Sequence, residues 1–174
     1  YSFVFKYFLP RSGEDLPHYE VFMFCGILPW TWFSSSLLES SGVLISGGNL
    51  IKKVLFPAEV LPIVTVLANM VHFFLGLPIL AGFILYDRIA LDLAGLAWFP
   101  VVVLVQLVLT LGFALILSAL TVHFRDLRDI LSNLMTFWFF ATPIIYSYMM
   151  MEPSVMRFLN LSPFTHLAIT YQEI

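Results

Sequence analysis

The sequence predicts an all-α protein, a polytopic transmembrane helix bundle, and three observations carry that prediction. Apolar residues make up 60% of the chain and charged residues only 11%, against about 25% charged in a soluble domain. The mean hydropathy is +0.95. The few ionisable side chains gather in short stretches between apolar runs long enough to cross about 30 Å of hydrocarbon. A chain of 174 residues could form one soluble domain by length, but it has too few charges to cover such a domain, and lipid is its natural solvent.

The elements follow in order. Tyr1–Pro10 is aromatic-rich, lacks a basic region and a small-residue cleavage site, and so is not a signal peptide. It reads as the last turns of a span that begins before Tyr1, and both ends of the sequence look like cuts through a longer protein. Arg11–Glu20, with Gly13 and Pro17 as breakers, is a surface loop. The first complete span is expected over 21–38, with Gly26 and Pro29 in its middle. A membrane helix tolerates these only where neighbours satisfy the freed backbone groups. Ser34, Ser35 and Ser36 can bond across to another helix or back to their own turn.

Residues 42–58 form a short amphipathic element at the membrane surface. Gly47 and Gly48 break the helix, Lys52 and Lys53 make a basic pair, and Pro57 suits the first turn of the next helix. Long apolar segments over 60–86, interrupted by Pro78, and over 93–122, carrying Gln106 and Thr110, are the next two spans, with Asp87, Arg88 and Asp92 marking the turn between them. The stretch His123–Asp129, HFRDLRD, is dense in ionisable groups, and an aromatic segment over 130–148 with Pro143 is expected as a fourth span. Residues 149–166, broken by Pro153 and Pro163, read as short helices dipping into the interface. By parity Lys52, Lys53, Arg125 and Arg128 share one face, against Arg11, Arg88 and Arg157 on the other, with Lys6 near the end of the truncated span. The positive-inside rule makes the first of these the cytoplasmic face.

Several functions find no support in the residues. A net charge of −3 gives no case for a nucleic-acid partner. The single Cys25 can form neither an internal disulfide nor part of a Cys/His cluster, and it reads as a small apolar filler. The chain contains no G-x-x-x-x-G-K, H-E-x-x-H or G-x-S-x-G, and its four histidines (His18, His72, His123, His166) are scattered. No catalytic residue, metal site or cofactor is assigned. His72, the main ionisable candidate inside a span, reads as a helix–helix or pore-lining polar group rather than a proton relay. This weakens an ion-coupled mechanism and leaves the energy source unexplained, which an external motor would supply.

Five pieces occur in order: FCGILPWTWFSSSL (Phe24–Leu37), GGNLIKKVLFPAEVLP (Gly47–Pro62), FRDLRDI (Phe124–Ile130), TPIIYS (Thr142–Ser147) and LSPFTHL (Leu161–Leu167). Together they resemble the permease family of bacterial polysaccharide ABC exporters, with an ABC-2 type membrane domain, which moves O-antigen, capsule or teichoic acid across the cytoplasmic (inner) membrane. One departure is Ser162–Pro163, where the family often has an asparagine before the proline; here Asn160 stands two residues earlier than Ser162.

The resemblance implies an ABC-2 type exporter fold with six spans per subunit, of which this sequence lacks the N-terminal helix, most of the first span and the last. It implies a homodimer paired with a separate P-loop ATPase that holds ATP and Mg, and a polysaccharide or lipid-linked glycan as substrate. Asn49, Leu50, Ile51, Lys52, Lys53 and Phe56 become the ATPase-coupling residues, and about 152–165 a gate on the outer face. The basic pair has an alternative reading, an anchor to anionic membrane lipid. Arg125, Asp126, Arg128 and Asp129 read as a salt-bridged helix start that transmits motion. Trp30, Trp32, Phe33, Phe137, Trp138, Phe140, Tyr146 and Tyr148 are the candidates for a channel surface, because aromatic rings offer sugars a rigid apolar face and, in Tyr and Trp, a polar handle. Against this stands the ordinary enrichment of Trp and Tyr at membrane interfaces. The alternatives are an ABC-2 exporter of a drug or lipid, and a membrane assembly protein without transport.

Overall fold

A computed structural model describes residues 19–47, 57–86, 93–124, 126–142, 144 and 163–173 of the chain. The described residues form five helices: α1 (Tyr19–Ser46), α2 (Val60–Tyr86), α3 (Leu93–His123), α4 (Leu127–Ala141) and α5 (Pro163–Glu173). α1, α2 and α3 are long and apolar enough to cross a membrane. The fold is all-α, as the composition requires, and α1 is its centre: it packs against each of the other four helices.

α1 runs to Ser46, eight residues beyond the apolar run that ends at Leu38. Glu39, Ser40, Ser41 and Gly42 look like loop residues in sequence, yet inside a bilayer the backbone must satisfy itself, and the helix continues. Ser41 donates to the Leu38 carbonyl at 2.7 Å and Ser46 to the Gly42 carbonyl at 3.1 Å, so these hydroxyls are absorbed by their own turns. Glu39 instead accepts a hydrogen bond from the Asn69 amide of α2 at 2.8 Å. Residues 42–46, expected in the surface element, are therefore helical.

α1 ends at Gly47, whose N–H donates to the Val43 carbonyl at 2.8 Å. A methyl group there would run into Leu61, so the end of α1 lies hard against the start of α2. Pro57 sits in the turn before α2, where its carbonyl accepts from Val60 at 3.1 Å. The first-turn proline is instead Pro62, at a position with no helical partner for an N–H. Midway along the pair, Gly76 meets Leu28, and this close approach sets the spacing of α1 and α2.

α4 departs from expectation. It has 15 residues, about 22 Å of helix, short of about 30 Å of hydrocarbon. It ends at Thr142, which is extended at φ −79° and ψ 137°. The residue before a proline is pushed out of the helical region by the ring, and Pro143 follows. The Thr142 N–H and hydroxyl both donate to the Trp138 carbonyl at 2.9 Å, closing the last turn. The α-helix thus covers only part of the span expected over 130–148.

The core sits where α1, α4 and α5 meet. Phe33 stacks on Phe164 with centroids 4.7 Å apart, Trp30 lies edge-on to Phe164 at 5.1 Å, and Trp138 is edge-on to Phe33 at 5.5 Å. A second aromatic group joins α1, α2, α3 and α5 through Trp32–Phe73 at 5.2 Å and Phe99–Tyr171 at 6.0 Å. Such contacts stabilise each pair by about 0.5–1.5 kcal/mol beyond area burial. The outward faces are apolar, with Val71, Leu75 and Ile79 on α2 and Leu104, Val108 and Ile116 on α3 exposed. In lipid these need no cover.

Candidate functional site

Pro29 lies inside α1 and carries no N–H, which leaves the helix short of one backbone bond at this level. The buried Gln106 of α3 donates its amide to the Pro29 carbonyl at 2.8 Å and so ties α3 to the proline turn of α1. Thr110 donates back to the Gln106 carbonyl at 2.7 Å. One turn further along α1, the Trp32 indole donates to the Val66 carbonyl of α2 at 3.2 Å. A polar seam therefore threads the three spans. It is only partly satisfied among the described residues, where Ser36 Oγ, Ser40 Oγ and Gln106 Oε1 are buried without a hydrogen-bond partner.

The three α1 aromatics expected on a channel surface lie inside the bundle. Trp30, Trp32 and Phe33 are 6%, 2% and 0% exposed, because α1 is enclosed by its neighbours. Trp138 is half-buried against Trp30 and Phe33. Phe137 and Phe140 remain exposed on α4. Tyr146 and Tyr148 lie outside the described residues, as do Asn49, Leu50, Ile51, Lys52, Lys53 and Phe56. The described residues on either side of that last segment meet in the Gly47–Leu61 contact.

At the α3–α4 corner, Arg125 also lies outside the described residues. Asp126 takes the N-cap position of α4 without a side-chain capping bond, while its carbonyl accepts from Asp129 and Ile130 at 3.2 Å. Asp129 sits in the first turn, where a carboxylate suits the positive end of the helix dipole. Arg128 reaches α1, its guanidinium 3.3 Å from where a methyl on Gly42 would lie. Among the described residues no ion pair is present at this corner; Asp129 lies at the helix start and Arg128 is laid across α1. A cleft of about 570 Å³ opens here, bounded by Val122, His123, Phe124, Asp126, Leu127 and Ile130.

Sequence reasoning missed Glu39. It falls just beyond the span expected to end at Leu38, although Thr31, Ser35 and Glu39 recur every four residues and so continue one helix face. His72 is exposed on α2, one turn from Asn69. A cavity of about 130 Å³ lies among Leu28, Thr31, Trp32, Ser35, Asn69, His72 and Phe73. Among the described residues no group of three or more His, Cys, Asp or Glu side chains could hold a metal ion.

Fold and site together define a multi-pass helical membrane protein whose spans are tied by buried polar bonds. The sequence profile of the ABC-2 type transporter family matches residues 1–174, and the chain belongs to that family. It is 40% identical to the O-antigen export system permease protein RfbA of Myxococcus xanthus, over 92% of this chain and 62% of the relative. Two RfbA permease proteins of Klebsiella pneumoniae are 29% and 28% identical over 100% of this chain and 66% of their own length. The chain thus spans a little under two thirds of the length of the curated relatives it matches. It is an ABC-2 type membrane permease domain of the bacterial inner membrane, related to O-antigen export systems.

Proposed function

We propose that the whole protein is the permease subunit of an ATP-driven exporter that moves a polysaccharide or lipid-linked glycan out across the inner membrane. The observation that carries this reading is the likeness, over 92% of the chain, to a permease named for O-antigen export. In this reading a separate P-loop ATPase supplies the energy, and two copies of the permease enclose the path. Residues 49–53 and Phe56 meet the ATPase. The Gly47–Leu61 contact supports that role, because pinning the loop's ends passes its displacement into both α1 and α2. The α3–α4 corner, with Arg128 laid on α1, links the second cytoplasmic turn to the same helix. Of the channel candidates among the described residues, Phe137 and Phe140 are exposed on α4 and so are available to line a channel. Nucleotide state drives export only insofar as it favours one permease conformation over another.

The test is to purify the full-length protein from its native membrane under mild extraction and identify what accompanies it by mass spectrometry. A stoichiometric P-loop ATPase is expected, and Lys52→Glu with Lys53→Glu should lower its recovery several-fold while leaving the permease folded. Absence of an ATPase from the wild-type preparation would sink the exporter reading.

A further inference from the structure

We propose that the open face between α1 and α2 is a water-filled, hydroxyl-binding groove on the path of the exported glycan, an inference that rests on the transport reading above. Thr31, Ser35 and Glu39 form one stripe along α1, with Thr31 and Glu39 exposed and Ser35 half-buried. Asn69 and His72 of α2 face Thr31 and Ser35 across the cavity of about 130 Å³, and Glu39 adjoins it through its bond from Asn69. Trp32 and Phe73, 5.2 Å apart and almost fully buried, make its floor.

Depth decides what can occupy this face. Glu39 is seven residues and Thr31 fifteen residues from the end of α1 at Ser46, which places them about 10 Å and about 22 Å along the helix from that end. The groove therefore runs from near the α1–α2 loop towards mid-membrane. A carboxylate and an imidazole at such depth are costly against lipid and belong on a water-filled or protein-facing side. On the same helix Val71 is exposed on an apolar face that suits lipid. A dry protein cover fits poorly as well. Among the described residues Glu39 has only an amide partner, at 2.8 Å, and no cation. Water on this face satisfies both groups.

The hydrogen-bond inventory then names the ligand class. The Asn69 amide N–H groups are spent on Glu39 and on the Thr65 carbonyl at 3.1 Å, which leaves its carbonyl oxygen as an acceptor. The Thr31 hydroxyl donates to Ile27 at 2.8 Å and likewise offers lone pairs. With the Glu39 carboxylate, the groove is rich in acceptors, and it suits a neutral, hydroxyl-bearing polymer better than an acidic one. A volume of about 130 Å³ equals only a few waters at about 30 Å³ each. Substituents would enter singly as a chain slides past, with no whole sugar ring held.

The test uses the full-length permease with its ATPase in membrane vesicles, cleared of native cysteines including Cys25→Ala. Ser35→Cys and His72→Cys are treated with the membrane-impermeant reagent sulfonatoethyl methanethiosulfonate, with Val71→Cys and Val108→Cys as lipid-facing controls. The two groove positions should react at least tenfold faster than the controls, and their modification should lower glycan export several-fold. Reaction no faster than the controls overturns the proposal, since a second copy or another helix then covers the face. Fast reaction with export unchanged overturns the placement on the glycan path. If unmodified vesicles export no glycan while the contrast in reactivity holds, the transport reading fails and takes the ligand assignment with it, and only a hydrated groove stands.

Discussion

The contact between Gly76 and Leu28 gives the sharpest prediction, because one atom decides it. A methyl built on Gly76 would overlap the Leu28 Cδ2, with Leu28 Cδ1 at 3.3 Å and Cγ at 3.4 Å. All three contacts come from one side chain, so Gly76→Ala must push Leu28 off its rotamer or part α1 from α2. Overpacking of this kind costs about 1–3 kcal/mol, and replacing glycine in a helix returns at most about 1 kcal/mol. The net expectation is a loss of about 0–3 kcal/mol. The informative measurement is a double-mutant cycle with Leu28→Ala, which removes the obstructing methyls. Thermal unfolding of the detergent-purified full-length protein, followed by near-ultraviolet circular dichroism, should show the pair less destabilised than the sum of the singles by about 1–2 kcal/mol, as expected for groups in direct contact. Additivity within about 0.5 kcal/mol would mean that Gly76 and Leu28 do not set the α1–α2 spacing, and the reasoning would fail.

Two further predictions concern the core. Gln106→Leu removes one interhelical hydrogen bond, worth about 0.6 kcal/mol on average in membranes, and also removes a buried acceptor without a partner, which costs about 1–3 kcal/mol. The variant should unfold at the wild-type temperature or above, and a clear drop would mean that Gln106 Oε1 is satisfied in the whole protein. Trp30→Ala loses ring contacts to Phe33, Trp138, Phe139 and Phe164, on the order of 2–6 kcal/mol at about 0.5–1.5 each. Phe137→Ala, on an exposed face, should change stability by no more than about 0.5 kcal/mol while lowering glycan export if it lines the path. Equal instability of the two variants would contradict the burial pattern.

The sequence by itself determined the solvent and the class. With 11% charged residues and apolar runs of more than twenty residues, helices that satisfy their own backbone in lipid are the economical outcome. Order and spacing of the motifs were enough to indicate the family. Hydropathy also located α2 and α3 closely, since both are bounded by charges or breakers on each side. It did less well with α1 and α4, because their ends depend on partners. Glu39 continues α1 with Asn69 thirty residues away to receive it. Gln106 meets the proline turn of α1 across 77 residues. Linear patterns report which residues are apolar but not which helix faces are enclosed. Trp30, Trp32 and Phe33 therefore read from sequence as channel surface or as interfacial aromatics. Only the tertiary arrangement, with α1 surrounded on all sides but one, made them core and left the Thr31–Ser35–Glu39 stripe open. That distinction is a matter of packing, since the same side chain stabilises helix association when enclosed and can meet a ligand only when uncovered.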